Sequence, residues 1–440
     1  MLKNEAWNSF YMGITNLTKL VQREAPAALE ELSLKDLAGQ TVTVDVSSYM
    51  YQYAYNAKAK GKGSHLRGFF EMIVNFKLHQ ITPVFIFDGK ASQAKAVTLQ
   101  ARQQVKTQRV DQIKHSVGQI AQTLGAQVVE LDSAEAEQYG PSLNLEQLLL
   151  NKTEQLSLEQ VQTIMKHQEQ IAKQQKNLIV ITPDMYRELV QLFKLTGVPF
   201  FRAQGEADFL CVRLAREGLA AAVFSEDTDI LTHGAPLLVR GINSNEFRSQ
   251  GLLKGYRLAT ILEETKLTMT QFVDVCILAG CDYAESPRGV GALSAIKLVR
   301  KYGNIADFCQ ACLAGKERYK IEPSFTWSVA YYEFKGSSRE HCPDSTELVW
   351  CEVNQSELSR FLLAHSNYTN KTLQRKLEVF PAVSKPAPKI ALVSKPAPKI
   401  ALVSKPAPKI ALVPKPKPPI VAKLTKLNLK PRPAILQLKK

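Results

Sequence analysis

Residues 83–90 read P-V-F-I-F-D-G-K, an apolar run that leads directly into a carboxylate, Asp88. A second run, T-V-T-V-D at residues 41–45, ends in the same way on Asp45. Short runs rich in valine, isoleucine and phenylalanine predict buried strands. Acids at the carboxyl ends of parallel strands meet at one edge of a sheet, where open α/β folds bind their ligands. The two runs therefore predict a fold class and the position of a site within it.

Three further segments also carry acids that have no obvious structural role. They are G-E-A-D at 205–208, S-E-D-T-D at 225–229 and A-G-C-D-Y at 279–283, and they raise the number of such acids to seven. Like charges a few ångströms apart do not all ionise unless cations neutralise them, and Mg²⁺ prefers oxygen ligands. A pair of divalent ions is the simplest neutraliser. The predicted ligands are Asp45, Asp88, Glu206, Asp208, Asp227, Asp229 and Asp282.

The spacing of Asp227 and Asp229 adds a geometric expectation. The two residues are at positions i and i+2, so in an extended backbone their side chains point the same way.

Strand-like runs alternate with helical patterns along the chain. This alternation predicts an α/β fold with a mainly parallel central sheet flanked by helices. Thr182 followed by Pro183 is typical of a helix start, and that helix should end near Gly197. The strand-like runs are Thr41–Asp45, Pro83–Asp88, Val198–Arg202, Ala220–Phe224 and Pro236–Arg240, and clear helical patterns are Ser64–His79 and Glu206–Glu217.

The composition separates a globular part from a basic tail. The chain has 440 residues and a net charge of +15. Residues 381–440 hold 14 Lys and Arg and no acid, and V-S-K-P-A-P-K-I-A-L occurs in them three times. Such a segment cannot bury a core. It is either a solvated linker or an electrostatic tether for nucleic acid, and the two roles are compatible.

The cysteines and the apolar runs bear on location. Seven cysteines, an odd number, and no export signal favour reduced thiols in a cytosolic or nuclear protein. No apolar run approaches the roughly 18–20 residues of a membrane span. Cys309-x-x-Cys312 has the spacing of half a zinc site, but no second pair follows and the segment reads as a helix interior.

Residues 91–177 form a long, mostly helical insertion whose first part is basic. Lys95, Arg102 and Arg109 are seven residues apart and should share one helical face. Such a stripe is usually a solvated surface, but this one follows an acid of the cluster. Further along, Gly289-Val290-Gly291 stands between two helical patterns, where backbone N–H groups and a helix N-terminus can approach a phosphate.

These segments together resemble the flap endonuclease/XPG family of structure-specific nucleases. The blocks that carry the resemblance are M-G-I-T-N-L, V-D-V-S-S-Y-M-Y, P-V-F-I-F-D-G-K, G-E-A-D, S-E-D-T-D-I-L and L-A-G-C-D-Y-A-E-S-P-R-G-V-G, in the family's order. The resemblance implies a PIN-like nuclease core with a helical arch and a helix-hairpin-helix element that binds DNA. It implies that the chain, in the nucleus, cuts 5′ flaps or related branched DNA in replication or repair.

The family pattern also implies roles for individual residues. The seven acids would hold two Mg²⁺, which Mn²⁺ can replace, for phosphodiester hydrolysis. Lys95 and Arg102 match the family's basic pair on the arch, which contacts the scissile phosphate. Tyr51 matches a tyrosine that stacks on a base, and Arg109 and Lys297 are expected DNA contacts. Gly289 and Gly291 match the hairpin that grips the duplex, usually with a bound K⁺.

The expected organisation is a single nuclease domain with appendages, acting as a monomer. An extension at 1–11 precedes the domain at 12–380, and either Met1 or Met12 is the start of translation. The subdivisions are an N-terminal region 12–115, the arch insertion 91–177, an internal region with the hairpin 178–300, a helical part 301–380 and the tail 381–440.

The chain also departs from the family pattern. Ala292-Leu293-Ser294 follows the hairpin where many relatives carry basic residues, and Lys297, Arg300 and Lys301 come only later, so we expect an altered grip on the duplex. The tail lacks a sliding-clamp box. The near match Gln355-x-x-Leu358-x-x-Phe361-Leu362 reads as a core-like helix.

Two other functions are compatible with parts of the pattern. A non-catalytic DNA-binding scaffold could share the fold, although the intact acids and basic pair count against it. A phosphatase with an aspartyl nucleophile is suggested by Asp227-x-Asp229 after a strand. That chemistry favours threonine or valine where Leu231 stands.

Overall fold

The computed structural model describes residues 13–60, 63–123, 157–177, 181–335 and 342–380. The extension 1–11 with both candidate start residues, the middle of the arch insertion and the tail 381–440 lie outside the described residues. No helix among the described residues is long and apolar enough to cross a membrane.

A sheet of seven strands forms the centre of the molecule, in the order β1-β7-β6-β5-β2-β3-β4. The five strands from β6 to β4 pair in parallel, while β7 runs antiparallel to both β6 and β1. The strands are β1 Leu29–Ser33, β2 Thr41–Asp45, β3 Thr82–Phe87, β4 Phe200–Arg202, β5 Ala222–Phe224, β6 Leu237–Arg240 and β7 Leu252–Arg257.

The predicted mainly parallel sheet flanked by helices is confirmed, and all five predicted strands are present. The two antiparallel strands, β1 and β7, were not predicted. The sequences L-E-E-L-S and L-L-K-G-Y-R contain charges or glycine; no residue of β1 is fully buried, and only three of the six in β7 are. A strand at or near the edge of a sheet needs no continuous apolar run, so the pattern carries little signal.

Helices cover both faces of the sheet. The first group is α1 Leu17–Glu24, α2 Val46–Lys60, α3 Ser64–Leu78, α4 Ala96–Thr123, α5 Leu158–Asn177, α6 Pro183–Thr196, α7 Ala207–Arg216 and α8 Asp229–Thr232. The second group is α9 Asn245–Gln250, α10 Leu258–Thr265, α11 Met269–Ala279, α12 Ala292–Tyr302, α13 Ile305–Leu313, α14 Trp327–Lys335, α15 Gln355–His365 and α16 Asn370–Leu377.

Alternation along β3 divides the core in two. Val84 and Ile86 point to one face, where α7, α11 and α12 pack. Phe85 and Phe87 point to the other, where α2, α3, α6 and α15 pack. Side chains of a strand alternate between faces, so a doubly covered sheet needs an apolar residue at every position. This is why the run in β3 is continuous, and why its first polar residue, Asp88, comes at the edge.

The helix α6 begins and ends as predicted. The hydroxyl of Thr182 accepts a hydrogen bond from the backbone N–H of Met185, and Pro183 is the first helical residue. Gly197 ends the helix with φ at +68°, a left-handed conformation that glycine adopts without strain.

Candidate active site

The carboxyl ends of four adjacent parallel strands, β5, β2, β3 and β4, form one edge of the sheet. Asp45 is the last residue of β2, and Asp88 directly follows β3. The pairs Glu206–Asp208 and Asp227–Asp229 follow β4 and β5, and Asp282 lies in the loop after α11. Six of the seven acids are buried, Asp88 being the exposed one.

Asp45 and Asp88 are held by the serines and backbone amides at the start of neighbouring helices. Asp45 accepts from the backbone N–H of Ser47 at 3.0 Å and from the hydroxyl of Ser225 at 2.9 Å. Asp88 accepts from the Ser47 hydroxyl and, at 2.8 Å, from the backbone N–H of Ala207. Ser47 thus fixes both acids, a role that sequence reasoning did not assign to it.

The extended geometry expected for Asp227 and Asp229 is wrong. Thr228 has helical angles, with φ at −83° and ψ at −12°, and Asp229 begins the short helix α8. The carboxylate of Asp227 instead accepts from the backbone N–H of Asp229 at 2.8 Å. Aspartate favours this local bond at a turn, and it competes with extended backbone. Both acids are nevertheless buried in the cluster.

Lys95 lies inside the cluster. Its ammonium group is 2.6 Å from Glu206 and 3.3 Å from Asp282. Arg102, in the second turn of α4, donates to Asp282 at 2.7 Å. Tyr283, which was not predicted, donates to Glu206 at 3.2 Å. The predicted basic pair therefore meets the predicted acids, and α4 begins against them.

Four of the acids have raised pKa values. Burial and the nearby Asp88 raise the pKa of Asp45 to about 7. Burial raises the pKa of Asp227 to about 6, although the N–H of Asp229 and the charge of Lys95 oppose the shift. Burial and neighbouring acids also raise the pKa values of Asp208 and Asp229. Burial opposes the charge of Lys95, but Glu206 and Asp282 raise its pKa above the usual value.

The donor set suits a hard divalent cation. One oxygen of Glu206 and one of Asp229 are buried without a hydrogen-bond partner, and such orphaned oxygens are free to bind a cation. In the described residues, however, no three acid, histidine or cysteine side chains already converge as a metal site. The ammonium of Lys95 supplies positive charge between two of the acids. A cation that binds all of them therefore requires side chains to rearrange.

Gly13 brings the N-terminal backbone against Asp227. An added Cβ at Gly13 would lie 2.2 Å from a carboxylate oxygen of Asp227 and 2.8 Å from the hydroxyl of Thr228. Its φ of +101° also disfavours other residues. Only glycine fits at this position.

Two expected DNA contacts lie on helices near the cluster. Tyr51, on α2, is 42% exposed, so its ring is not a core residue. Arg109 lies on α4 two turns beyond Arg102, as the seven-residue spacing predicts. Their roles in binding DNA stay predictions.

The glycine hairpin stands between α11 and α12. Gly289 has φ at +86°, and Gly291 is the residue before α12, with open space where its side chain would be. Lys297 is exposed on α12. Arg300 and Lys301 are instead paired with Glu24 and Glu317, at 2.8 and 2.6 Å.

A loop that sequence reasoning missed lies beside the hairpin. In K-E-R-Y-K, residues 316–320, Lys316, Arg318 and Lys320 are exposed, while the residues between them point inward. Glu317 accepts from Lys301 and Tyr302, and the ring of Tyr319 faces Gly289. The loop thus adds basic side chains next to the hairpin, where Ala292-Leu293-Ser294 offers none.

Two lesser motifs lie on helices. Cys309 and Cys312 are free thiols on α13, and the described residues hold no metal-binding group around them. In the near match to a clamp box, Leu358 and Leu362 are fully buried, and Gln355 bonds to the backbone at Leu377. This segment is a core helix, as its pattern indicated.

Comparisons with known proteins identify the same family. Family models match at residues 12–109 for the XPG N-terminal domain and 197–282 for the XPG I-region. Human flap endonuclease 1 is 28% identical over 372 residues, covering 82% of this chain and 85% of the relative.

Solved structures share the fold at low sequence identity. The catalytic core of Rad2 in complex with DNA substrate has a TM-score of 0.57 at 18% identity, covering 83% of this chain and 99% of that one. Human GEN1 in complex with Holliday junction DNA has a TM-score of 0.52 at 18% identity, covering 83% and 77%. The matched blocks contain all seven acids, Lys95 and Arg102. The two matched XPG domains, the flap endonuclease relatives and the Rad2 and GEN1 folds together support the flap endonuclease/XPG family for this chain, and with it a structure-specific DNA endonuclease that hydrolyses phosphodiester bonds.

Proposed function

We propose that this protein is a Mg²⁺-dependent endonuclease that cuts 5′ flaps or related branched DNA at the carboxylate cluster. The observation that supports the proposal is that seven acids lie at or beside one edge of the sheet, with Lys95 and Arg102 docked against two of them, Glu206 and Asp282. Mn²⁺ should replace Mg²⁺, since both accept oxygen ligands. We expect a monomer that acts in the nucleus, in DNA replication or repair.

The chain's own residues hold and orient the phosphate. Two Mg²⁺ bound by the acids would supply an activated water and stabilise the leaving oxygen. Lys95 and Arg102 would exchange their carboxylate partners for the scissile phosphate, where their fixed charges offset the charge that develops. Exchange is feasible because a phosphate offers the same bidentate oxygen acceptors as a carboxylate.

The remaining contacts would position the branched substrate. Tyr51 presents a ring on which an unpaired base can stack. The hairpin at Gly289 and Gly291, with K⁺, would hold duplex through backbone amides, and Lys297 and Arg109 would contact phosphates. These contacts read shape and charge, so binding should not depend on base sequence.

The test separates cutting from binding. Labelled flap, gap, bubble and Holliday substrates are incubated with the full chain, with and without Mg²⁺. Asp88→Ala and Asp227→Ala should each lower cleavage by more than about 100-fold, while DNA binding in EDTA stays within about twofold. Full cleavage by both variants would refute the metal assignment. A wild-type chain that binds every substrate and cuts none would establish the non-catalytic scaffold instead.

A further inference from the structure

A groove of about 510 Å³ runs along α6, at the β4 end of the sheet. Tyr186, Arg187, Val190 and Lys194 line it from the helix, and Arg202 lines it from the end of β4. From Tyr186 to Lys194 the stripe extends about 12 Å at the 1.5 Å rise of an α-helix. The groove is therefore long enough to contact an extended chain rather than a single ion.

One end of the groove reaches the carboxylate cluster. The phenol of Tyr186 lies against the hydroxyl of Ser47, and Ser47 in turn donates to Asp88. Tyr186 also lies close enough to Asp88 and Asp45 for the charges of these carboxylates to act on it. A strand that enters or leaves the active site on this side would therefore pass Tyr186 first.

The rim of the groove is basic. Lys194 and Arg202 are exposed, and neither has an ion-pair partner among the residues that the structure describes. Arg187 is already paired with Asp184, so it contributes less. Lys194 also lies in the last turn of α6, where a positive charge stabilises the helix. Arg202 has no such role, because it lies on β4 on the other side of the groove.

We propose that this groove binds a single-stranded arm of the DNA substrate. The floor offers the ring of Tyr186 and the side chain of Val190 to unpaired bases, and the rim offers two cations to the backbone phosphates. Stacking platforms beside a basic track are what sequence-independent binding of single strands requires. An acidic peptide would match the charges but has no reason to continue into a phosphodiesterase site. The inference rests on the proposed function in taking branched DNA as the substrate.

The experiment measures binding alone, in EDTA, with the full-length chain. Lys194→Gln/Arg202→Gln removes both rim charges from exposed positions, so folding should not change. The control, Lys35→Gln/Lys254→Gln, also removes two exposed charges, one after β1 and one on β7 that pairs with Glu246, at the opposite end of the sheet. Each protein is titrated with duplex that carries a 5′ arm, a 3′ arm or no arm, by fluorescence anisotropy.

The groove variant should bind one of the armed duplexes about tenfold more weakly, and the affected arm identifies the strand. For single strands each phosphate contact contributes about 0.7 to the slope of log K against log salt, so the slope should fall by about 1.4. Binding of the armless duplex, and all binding by the control variant, should stay within about twofold.

Three results would overturn the proposal. They are unchanged binding of both armed duplexes, an equal loss on armed and armless duplex, or loss of binding to a polyglutamate peptide with DNA binding intact. None of these bears on cleavage, so the proposed function would stand or fail separately through Asp88→Ala and Asp227→Ala.

Discussion

Gly13 is the residue at which a single methyl group should disturb the site most selectively. In Gly13→Ala the new Cβ would displace Asp227 and Thr228, and cleavage should fall at least about tenfold, as for a misplaced catalytic group. Gly39→Ala is the matched control, because Gly39 also has positive φ, at +75°, but open space around it. Both variants should lose about 1 kcal/mol of unfolding free energy. Cleavage assays and urea denaturation measure the two effects, and equal cleavage by both variants would contradict the expectation.

Asp274 is a buried acid outside the cluster, and its role is structural. It lies on α11 and accepts from the backbone N–H of Ile305, the first residue of α13. Burial raises its pKa from 3.8 to about 6. The folded state therefore favours the protonated acid, so stability is full below about pH 4 and declines as pH rises through 6.

Asp274→Asn should remove this pH-dependent loss. At pH 7.5 the variant should exceed the wild type in unfolding free energy by on the order of 2 kcal/mol, and near pH 4 the two should be equal. Urea denaturation at both pH values measures the difference. If the variant were less stable than the wild type at both pH values, the result would show that α13 depends on the negative charge of Asp274.

The sequence predicted which residues form the site better than it predicted how their side chains are arranged. The seven acids follow from residue type and position at strand ends and in motifs, whereas the Lys95–Arg102 pair follows from the resemblance to the family. The turn at Thr228, the Ser47 bridge and the insertion of Lys95 between Glu206 and Asp282 depend on distances across the fold. Sequence spacing carries no such distances.

At the scale of elements, the first turn of α4 is attached to the loop of Asp282. The hydroxyl of Thr98 donates to the backbone carbonyl of Asp282 at 2.7 Å, beside the ion pair with Arg102. Thr98→Val keeps the shape and removes the bond. The loss of about 1 kcal/mol from the free energy that holds α4 against the Asp282 loop should lower the cleavage rate by about fivefold. It should also speed hydrogen exchange of the backbone amides in that turn.

Thr98→Ser provides the control for this element, because serine retains the hydroxyl. It should cleave at close to the wild-type rate, with exchange unchanged. If valine and serine variants behave alike, the methyl group rather than the hydrogen bond positions α4.

Elements differed in how well the sequence predicted them, for a physical reason. Strands β2 and β3 are covered on both faces, so they need continuous apolar runs that are easy to detect. The groove on α6 went unpredicted because Lys194 lies on a helix and Arg202 on the strand that follows it, and the sequence pattern does not show that the two residues line one groove. The loop at 316–320 escaped for the same reason.

At the scale of the whole molecule, most of the net charge lies outside the globular part. The tail carries 14 of the 56 basic residues and none of the 41 acids, so residues 1–380 have a net charge of +1. Truncation of the chain after Phe380 should weaken binding to duplex DNA at low salt by about tenfold or more. It should also reduce the slope of log K against log salt. Cleavage at saturating substrate should not change, because the site is intact.

A tail of unchanged length with its lysines replaced by glutamine is the control for the truncation. It should bind as weakly as the truncated chain. Wild-type affinity in that variant would show that the tail acts through something other than charge. Anisotropy titrations over a range of salt concentrations distinguish these outcomes.

The strand order has a last consequence, for the timing of activity during synthesis. The acids that meet at one sheet edge are spread from Asp45 to Asp282, and β7, which completes the sheet against β1, ends at Arg257. Contacts this distant in sequence form late in folding, because long loops must close first. While Asp282 has not yet emerged from the ribosome, the nascent chain lacks part of the acid cluster. A partly synthesised chain therefore has no complete site with which to cut DNA.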